Sequence, residues 1–127
     1  MSDHVSDMDD QMRRDHGLDV QPRPTPNDLP SAHDLVIADV ASPVLPGRFD
    51  ASDAYEDILD HFEDMAVHLG KDPKEVLERR KAFGLTKYGT PLQPHNDRKH
   101  LEDALDEMAD TLVYLRCQTY EEGKTIQ

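Results

Sequence analysis

Two pairs of acidic residues have the spacing that could hold a divalent cation. Glu75 and Glu78 are three residues apart, and so are Glu107 and Asp110. Side chains three apart on a helix project from one face, so each pair could hold a cation edge-on through its carboxylate oxygens. If the two helices pack antiparallel, the four carboxylates converge into an oxygen-only site. That ligand type suits Mg²⁺, with Mn²⁺ as the alternative, rather than zinc.

A divalent cation would allow this acidic chain to act on a phosphorylated substrate. The 127 residues include 27 Asp and Glu against 14 Lys and Arg, which gives a net charge of −13. A cation between protein and substrate neutralises phosphate charge, and it lowers the pKa of a bound water so that hydroxide forms near neutral pH. The pattern with Glu at three positions and Asp at the fourth occurs once in the chain, and it is more specific than a pattern of any two acidic pairs.

Structural roles compete with metal binding at both pairs. Asp72 and Glu75 have the spacing of a capping box, so Glu75 could satisfy a backbone amide at its helix start, alone or in addition to binding metal. The acidic run around Glu107 could be a solvated helix face. However, no Lys or Arg lies between Leu101 and Thr111 to pair with these carboxylates, and this favours a cation site.

Three amphipathic helices are predicted to position the acidic pairs. Apolar residues at steps of three and four predict a first helix over 52–69, and Asp72 and Pro73 begin a second that Gly84 ends. The third and longest begins at Asn96 or Asp97 and ends at Gly123. Three helices offer a thin core. We therefore expect an all-α fold, a small helical bundle completed by homo-oligomerisation, as a homodimer or homotetramer.

The remaining segments are predicted from their composition. Residues 1–50 are acidic and Pro-rich and should form a largely disordered, mobile arm, with a short apolar docking segment near 35–40. Residues 51–123 form the helical domain and 124–127 a tail. Cys117, the single cysteine, is expected to be an inert core residue. Neither a signal peptide nor a membrane span is visible, so we expect a cytoplasmic protein. The net charge disfavours nucleic-acid and membrane partners.

Two segments resemble a known family. Residues 78–94, with the run Lys87-Tyr88-Gly89, and residues 105–115 are similar to the small MazG-like proteins of bacteriophages and bacteria, and the match covers about 53–122. The resemblance implies an all-α nucleoside triphosphate pyrophosphohydrolase. Lys74 stands where the family often has an acidic residue, so the second acidic pair is the safer assignment.

The resemblance also implies the site. Mg²⁺ would be bound by Glu75, Glu78, Glu107 and Asp110, the last three of which are the candidate catalytic residues. Water would attack between the α and β phosphates of a (deoxy)nucleoside triphosphate, releasing a monophosphate and pyrophosphate. The role would be control of the nucleotide pool, in the host cytoplasm if the gene is phage-borne.

The connection over residues 85–95 is long for a link between helices, and long links in small domains are often functional. Lys87 and Arg80 could contact phosphate oxygens, Tyr88 could stack on a base, and Asn96 could read a base edge. The alternatives are that Tyr88 fills the core and that Asn96 only caps the next helix.

Two non-catalytic functions compete with the enzymatic one. The chain could be an acidic helical interaction protein that binds a basic partner, or a DNA mimic that presents carboxylates in place of phosphates. Neither of these functions requires a metal.

Overall fold

The computed structural model describes residues 3–124, with side chains described from residue 9 onward. Its elements are five helices, which confirms the predicted all-α class: α1 (Asp3–Asp15), α2 (Ala32–Asp39), α3 (Ala51–His68), α4 (Pro73–Tyr88) and α5 (His100–Glu121). Within residues 3–124, every helix is too short or too polar to cross a bilayer.

The starts of α3 and α4 follow from local capping chemistry. The Asp50 carboxylate accepts hydrogen bonds from the amides of Ser52 (2.8 Å) and Asp53 (3.1 Å). The Asp72 carboxylate accepts from the amide of Lys74 at 3.0 Å, and a proline occupies the first turn of α4. These bonds satisfy amides that the helices leave unpaired, so the predicted starts of both helices are confirmed to within one residue.

The predicted end of α4 is wrong. The helix passes through Gly84 and continues to Tyr88, where Gly89 adopts φ 75° and donates its amide to the Leu85 carbonyl at 2.8 Å. A left-handed residue is the usual helix stop, and Gly89 supplies it without steric cost. Lys87 and Tyr88, predicted to lie in a connection, therefore belong to the last turn of α4.

The predicted start of α5 is also wrong, by three or four residues. Asn96 and Asp97 lie in a turn, and the helix begins at His100 after Lys99, which provides no side-chain cap. His95 and Asp97 both have positive φ, 58° and 67°. A left-handed residue cannot continue into a right-handed helix, so the turn delays the helix start.

Residues 1–50, predicted to be largely disordered, contain two helices. The segment predicted to dock near 35–40 lies at the end of α2, whose N-terminal cap is Ser31, accepting from the Asp34 amide at 3.0 Å. The structure thus places α1 and α2 within the predicted arm, and both helices have contacts with residues far along the chain. The mobility of residues 1–50 stays a prediction.

The chain divides into two compact units. Unit 1 comprises Met1–Pro24 and Arg48–Pro94, and unit 2 comprises Thr25–Gly47 and His95–Gln127. Each unit draws residues from both sides of the predicted boundary at residue 50. The division of the chain at residues 50 and 123 stays a prediction.

Unit 1 is held together by the packing of α3 on α4 and by contacts between the end of α1 and α4. Arg79 donates to the Gly17 carbonyl at 2.8 Å, and His16 contacts Thr86 (Nε2 to Oγ1, 2.7 Å). Among the side chains of residues 9–124, only Ala66 and Phe83 are buried apolar ones. The core is therefore small, as the composition predicts.

Unit 2 consists of α2 packed on α5. Arg116 donates from Nε to Asp39 at 2.8 Å, and this pair borders an open groove of about 320 Å³ between the helices, lined mainly by apolar side chains such as Val36, Leu112 and Leu115. Cys117 is exposed, so its predicted core position is wrong. With α2 as the packing partner, most of the circumference of α5 is left open to solvent.

Candidate functional site

The first acidic pair lies near the start of α4. Both carboxylates are exposed and are one helical turn apart. Glu75 forms an ion pair with Arg79 (Oε1 to Nη2, 2.5 Å), and Arg79 in turn donates to Gly17. Glu75 therefore contributes to the link between α1 and α4, and it would have to leave Arg79 to bind a metal. Glu78 makes no hydrogen bond or ion pair with any residue whose side chain is described.

The second acidic pair lies in the first half of α5. Glu107 and Asp110 are exposed, and neither carboxylate has a hydrogen-bonding or ionic partner among the side chains of residues 9–124. The backbone carbonyl of Glu107 accepts from the side-chain hydroxyl of Thr111 at 3.1 Å, a bond that does not involve the Glu107 carboxylate. The helix carries six Asp or Glu and one Lys or Arg. Two adjacent, unpaired carboxylates are thus available for a cation.

The two pairs belong to different units, the first to unit 1 and the second to unit 2. Among the side chains of residues 9–124, no group of three or more His, Cys, Asp or Glu could hold a metal ion. The structure thus brings together the partners within each pair. The convergence of all four carboxylates stays a prediction.

The donor set nevertheless has the chemistry that Mg²⁺ requires. Carboxylate oxygens are its preferred protein ligands, and one or two carboxylates together with substrate phosphates and water are a usual coordination set. Glu78, Glu107 and Asp110 offer such oxygens at exposed positions, without cationic partners within the described side chains. They fit the ion better than Glu75, which Arg79 already neutralises.

Three cations surround the ring of Phe83, which is 5% exposed. The Arg80 guanidinium carbon lies 5.1 Å from the ring centroid, that of Arg13 5.6 Å, and the Lys87 ammonium 5.8 Å. We call Arg13, Arg80 and Lys87 the Phe83 cation cluster. Arg80 and Lys87, predicted from sequence as phosphate contacts, are thus brought to one place on the surface of unit 1.

Tyr88 and Asn96 have different surroundings. Tyr88 is 72% exposed at the end of α4, so it does not fill the core, and its ring lies 5.7 Å from the Lys87 ammonium. Asn96 is half-buried, and its side-chain oxygen accepts from the Arg98 amide at 3.1 Å. This bond stabilises the turn rather than capping α5. The Tyr88 ring is accessible for stacking, whereas the Asn96 oxygen is already engaged.

Sequence reasoning missed Arg13 and His16 because residues 1–50 were interpreted as mobile. The His16 ring meets Phe83 edge-on, with centroids 6.3 Å apart and an interplanar angle of 89°. A local signal was present: Asp9 and Arg13 have the i, i+4 spacing of a helical ion pair, and Gly17 follows as a helix stop. No local signal, however, indicates that Arg13 reaches Phe83.

Comparison of the chain with protein-family models, with curated proteins and with solved structures found no match.

Proposed function

We propose that this protein is a Mg²⁺-dependent nucleoside triphosphate pyrophosphohydrolase that releases pyrophosphate from (deoxy)nucleoside triphosphates. The observation that carries the proposal is the pair of carboxylates on α5. Glu107 and Asp110 are adjacent on one helix, exposed, and unpaired within the described side chains. No Lys or Arg stands three or four residues from either carboxylate, so neither side chain has a helical ion pair that would compete with a cation.

The residues have distinct proposed roles. Glu107 and Asp110 of α5 hold a metal ion, with Mn²⁺ as a possible substitute. Glu78 of α4 is a further proposed ligand, and so is Glu75 if it exchanges Arg79 for an ion. A carboxylate outside the coordination shell of the metal accepts the proton of the attacking water. When bound, Mg²⁺ supplies charge neutralisation and a more acidic water.

Substrate contacts are proposed for the end of α4 and the following turn. Arg80 and Lys87 pair with phosphate oxygens, for which their position in the Phe83 cation cluster is suitable. The exposed ring of Tyr88 stacks on the base. Asn96 reads a base edge through its amide nitrogen, since its oxygen already accepts from Arg98.

Homo-oligomerisation, as a dimer or tetramer, forms part of the proposal. Leu101 and Leu105 are 60% and 70% exposed on one face of α5, and Met108, next along that face, is 37% exposed. Such a continuous apolar stripe on a helix ordinarily packs against a partner. A second copy would cover the stripe and could contribute carboxylates to the site.

The test is pyrophosphate release from a panel of standard and modified nucleoside triphosphates. Wild-type protein with Mg²⁺ should act on at least one of them. Glu107→Gln should lower kcat/KM at least about 100-fold, because a carboxylate that holds a catalytic metal contributes several kcal/mol to the barrier. Glu102→Gln is the matched control. It removes an exposed carboxylate from the same helix and should retain activity.

The outcomes separate this proposal from its rival. A folded protein that releases no pyrophosphate from any nucleotide would refute the enzymatic proposal. If Mg²⁺ then also leaves the melting curve unchanged, the acidic helical interaction protein becomes the better interpretation. Its exposed apolar and acidic surfaces would serve to bind a basic partner.

A further inference from the structure

We infer that the Phe83 cation cluster is a binding site for a phosphate chain, and that α1 supplies part of it through Arg13. This deepens the proposed function, on which it rests for the nucleotide nature of the ligand. Binding of the phosphate chain itself is independent of hydrolysis and is tested separately below.

The cluster concentrates positive charge in a strongly acidic chain. Helix α4 has five Lys or Arg and two Asp or Glu, whereas the whole chain has a net charge of −13. Arg13 comes to the same place from α1, which lies far away in sequence. Anions approaching this protein are repelled at long range, so a local positive surface is where a phosphate group would be held.

The cluster is incompletely neutralised. Asp9 is the carboxylate that pairs with it, at 3.6 Å from Arg13 Nε and 3.8 Å from Lys87 Nζ. Arg80 forms no ion pair with any residue whose side chain is described, and its guanidinium contacts the aromatic ring. Among the side chains of residues 9–124, three cations with one carboxylate leave a local charge of about +2. A di- or triphosphate provides the matching negative charge in a compact form.

The geometry of the ring holds the cations together. Phe83 is buried, whereas Arg80 and Lys87 are exposed. The two long side chains therefore extend over the ring, and their charged groups are accessible to solvent. Cation–π contacts at exposed sites are weak and leave the charge of each cation in place. A phosphate chain would supply the negative charge that the ring does not.

One flank of the cluster is fixed by polar contacts. His16 lies edge-on to Phe83 and is held by the 2.7 Å contact between its Nε2 and the Thr86 hydroxyl. The neighbouring Gly17 carbonyl accepts from Arg79 at 2.8 Å. These contacts connect the end of α1 to α4 and so keep Arg13 beside the ring. The N-terminal segment thereby gains a role in ligand binding.

The experiment is calorimetric titration of the full-length protein with tripolyphosphate and with ATP, in EDTA, at about 0.05 M and about 0.3 M salt. Lys87→Gln should weaken binding of both ligands about fivefold, as expected for the loss of one exposed charge pair. The matched control is Lys81→Gln, which removes an exposed lysine of the same helix that does not contact the ring, and it should change binding less than about twofold.

The contribution of α1 needs its own variants. Arg13→Gln should weaken binding about fivefold, and Arg13→Lys, which restores the charge, should recover most of it. The recovery distinguishes a ligand contact from a structural effect of releasing α1. Circular dichroism of each variant confirms that the helices are retained.

Four outcomes would overturn the inference. The first is that the wild type binds neither ligand at low salt, and the second is that Lys81→Gln and Lys87→Gln weaken binding equally. The third is that Arg13→Gln binds as tightly as the wild type. The fourth is that a single-stranded oligonucleotide binds more tightly than tripolyphosphate. The last would indicate an extended nucleic-acid surface instead. Binding without pyrophosphate release would retain the phosphate site while refuting the proposed hydrolysis.

Discussion

Replacing Gly17 with alanine should release the end of α1 from α4. Gly17 has φ +68°, and an added Cβ would collide with the guanidinium of Arg79, which donates to the Gly17 carbonyl at 2.8 Å. The substitution therefore has two effects. It places a side chain in the left-handed region, and it displaces the arginine that connects the two helices.

The magnitude follows from these two effects. A non-glycine residue in the left-handed conformation costs about 1–2 kcal/mol. Loss of one hydrogen bond costs about 0.5–1.5 kcal/mol, and the exposure of Arg79 places the value at the lower end. Together they destabilise the docked state of α1 by about 2 kcal/mol, which corresponds to an approximately 30-fold increase in the open population.

Amide hydrogen exchange measures this population directly. In Gly17→Ala, the amides of α1 should exchange about 30-fold faster, while those of α3 remain near their wild-type rates. Gly70→Ala is the matched control, because Gly70 has φ +69° but no atom within 4 Å of the added Cβ. It should lower stability locally at the end of α3 without affecting α1. In an Arg79→Ala background, Gly17→Ala should cost about 1 kcal/mol less.

Unchanged exchange of α1 in Gly17→Ala would refute the reasoning. It would mean that the contacts at Gly17 and Arg79 do not hold α1 against α4. The inferred contribution of Arg13 to the phosphate site would then lose its structural basis. If Gly17→Ala destabilised the docked state of α1 equally in the wild-type and Arg79→Ala backgrounds, only the proposed collision of the added Cβ with Arg79 would be refuted.

Two further predictions concern the metal and α4. Mg²⁺ at a concentration about tenfold above its dissociation constant should stabilise the wild type and Glu102→Gln by about 1.4 kcal/mol, which raises Tm by about 5 °C. The Tm of Glu107→Gln should not change. An equal rise in Tm for all three proteins would exclude Glu107 as a ligand. Gly84→Ala should stabilise the protein by about 0.5–1 kcal/mol, because Gly84 is inside α4 and an added Cβ would have no atom within 4 Å. A lower Tm of Gly84→Ala would mean that the helix ends at Gly84.

The sequence alone determined the features that depend on neighbouring residues. The start of α4 could be read from Asp72 and Pro73, because a capping carboxylate bonds to amides two or three residues away. That of α3 could be read from the spacing of its apolar residues. The pairing of Glu107 with Asp110 could be read from their spacing, because the helical repeat fixes which side chains share a face. The all-α class followed from composition and periodicity in the same way.

Only the tertiary structure decided the features that depend on contacts between distant segments. Gly84 and Gly89 are both plausible helix ends by local rules, and the backbone selects Gly89. The order of α1 depends on Phe83 and Arg79, more than 60 residues away, so the composition of residues 1–50 could not reveal it. The ion pair of Glu75 with Arg79 has the local i, i+4 spacing, whereas the hydrogen bond from Arg79 to the Gly17 carbonyl depends on the packed chain. Local bonds are encoded by spacing, whereas contacts across the chain require the packed molecule.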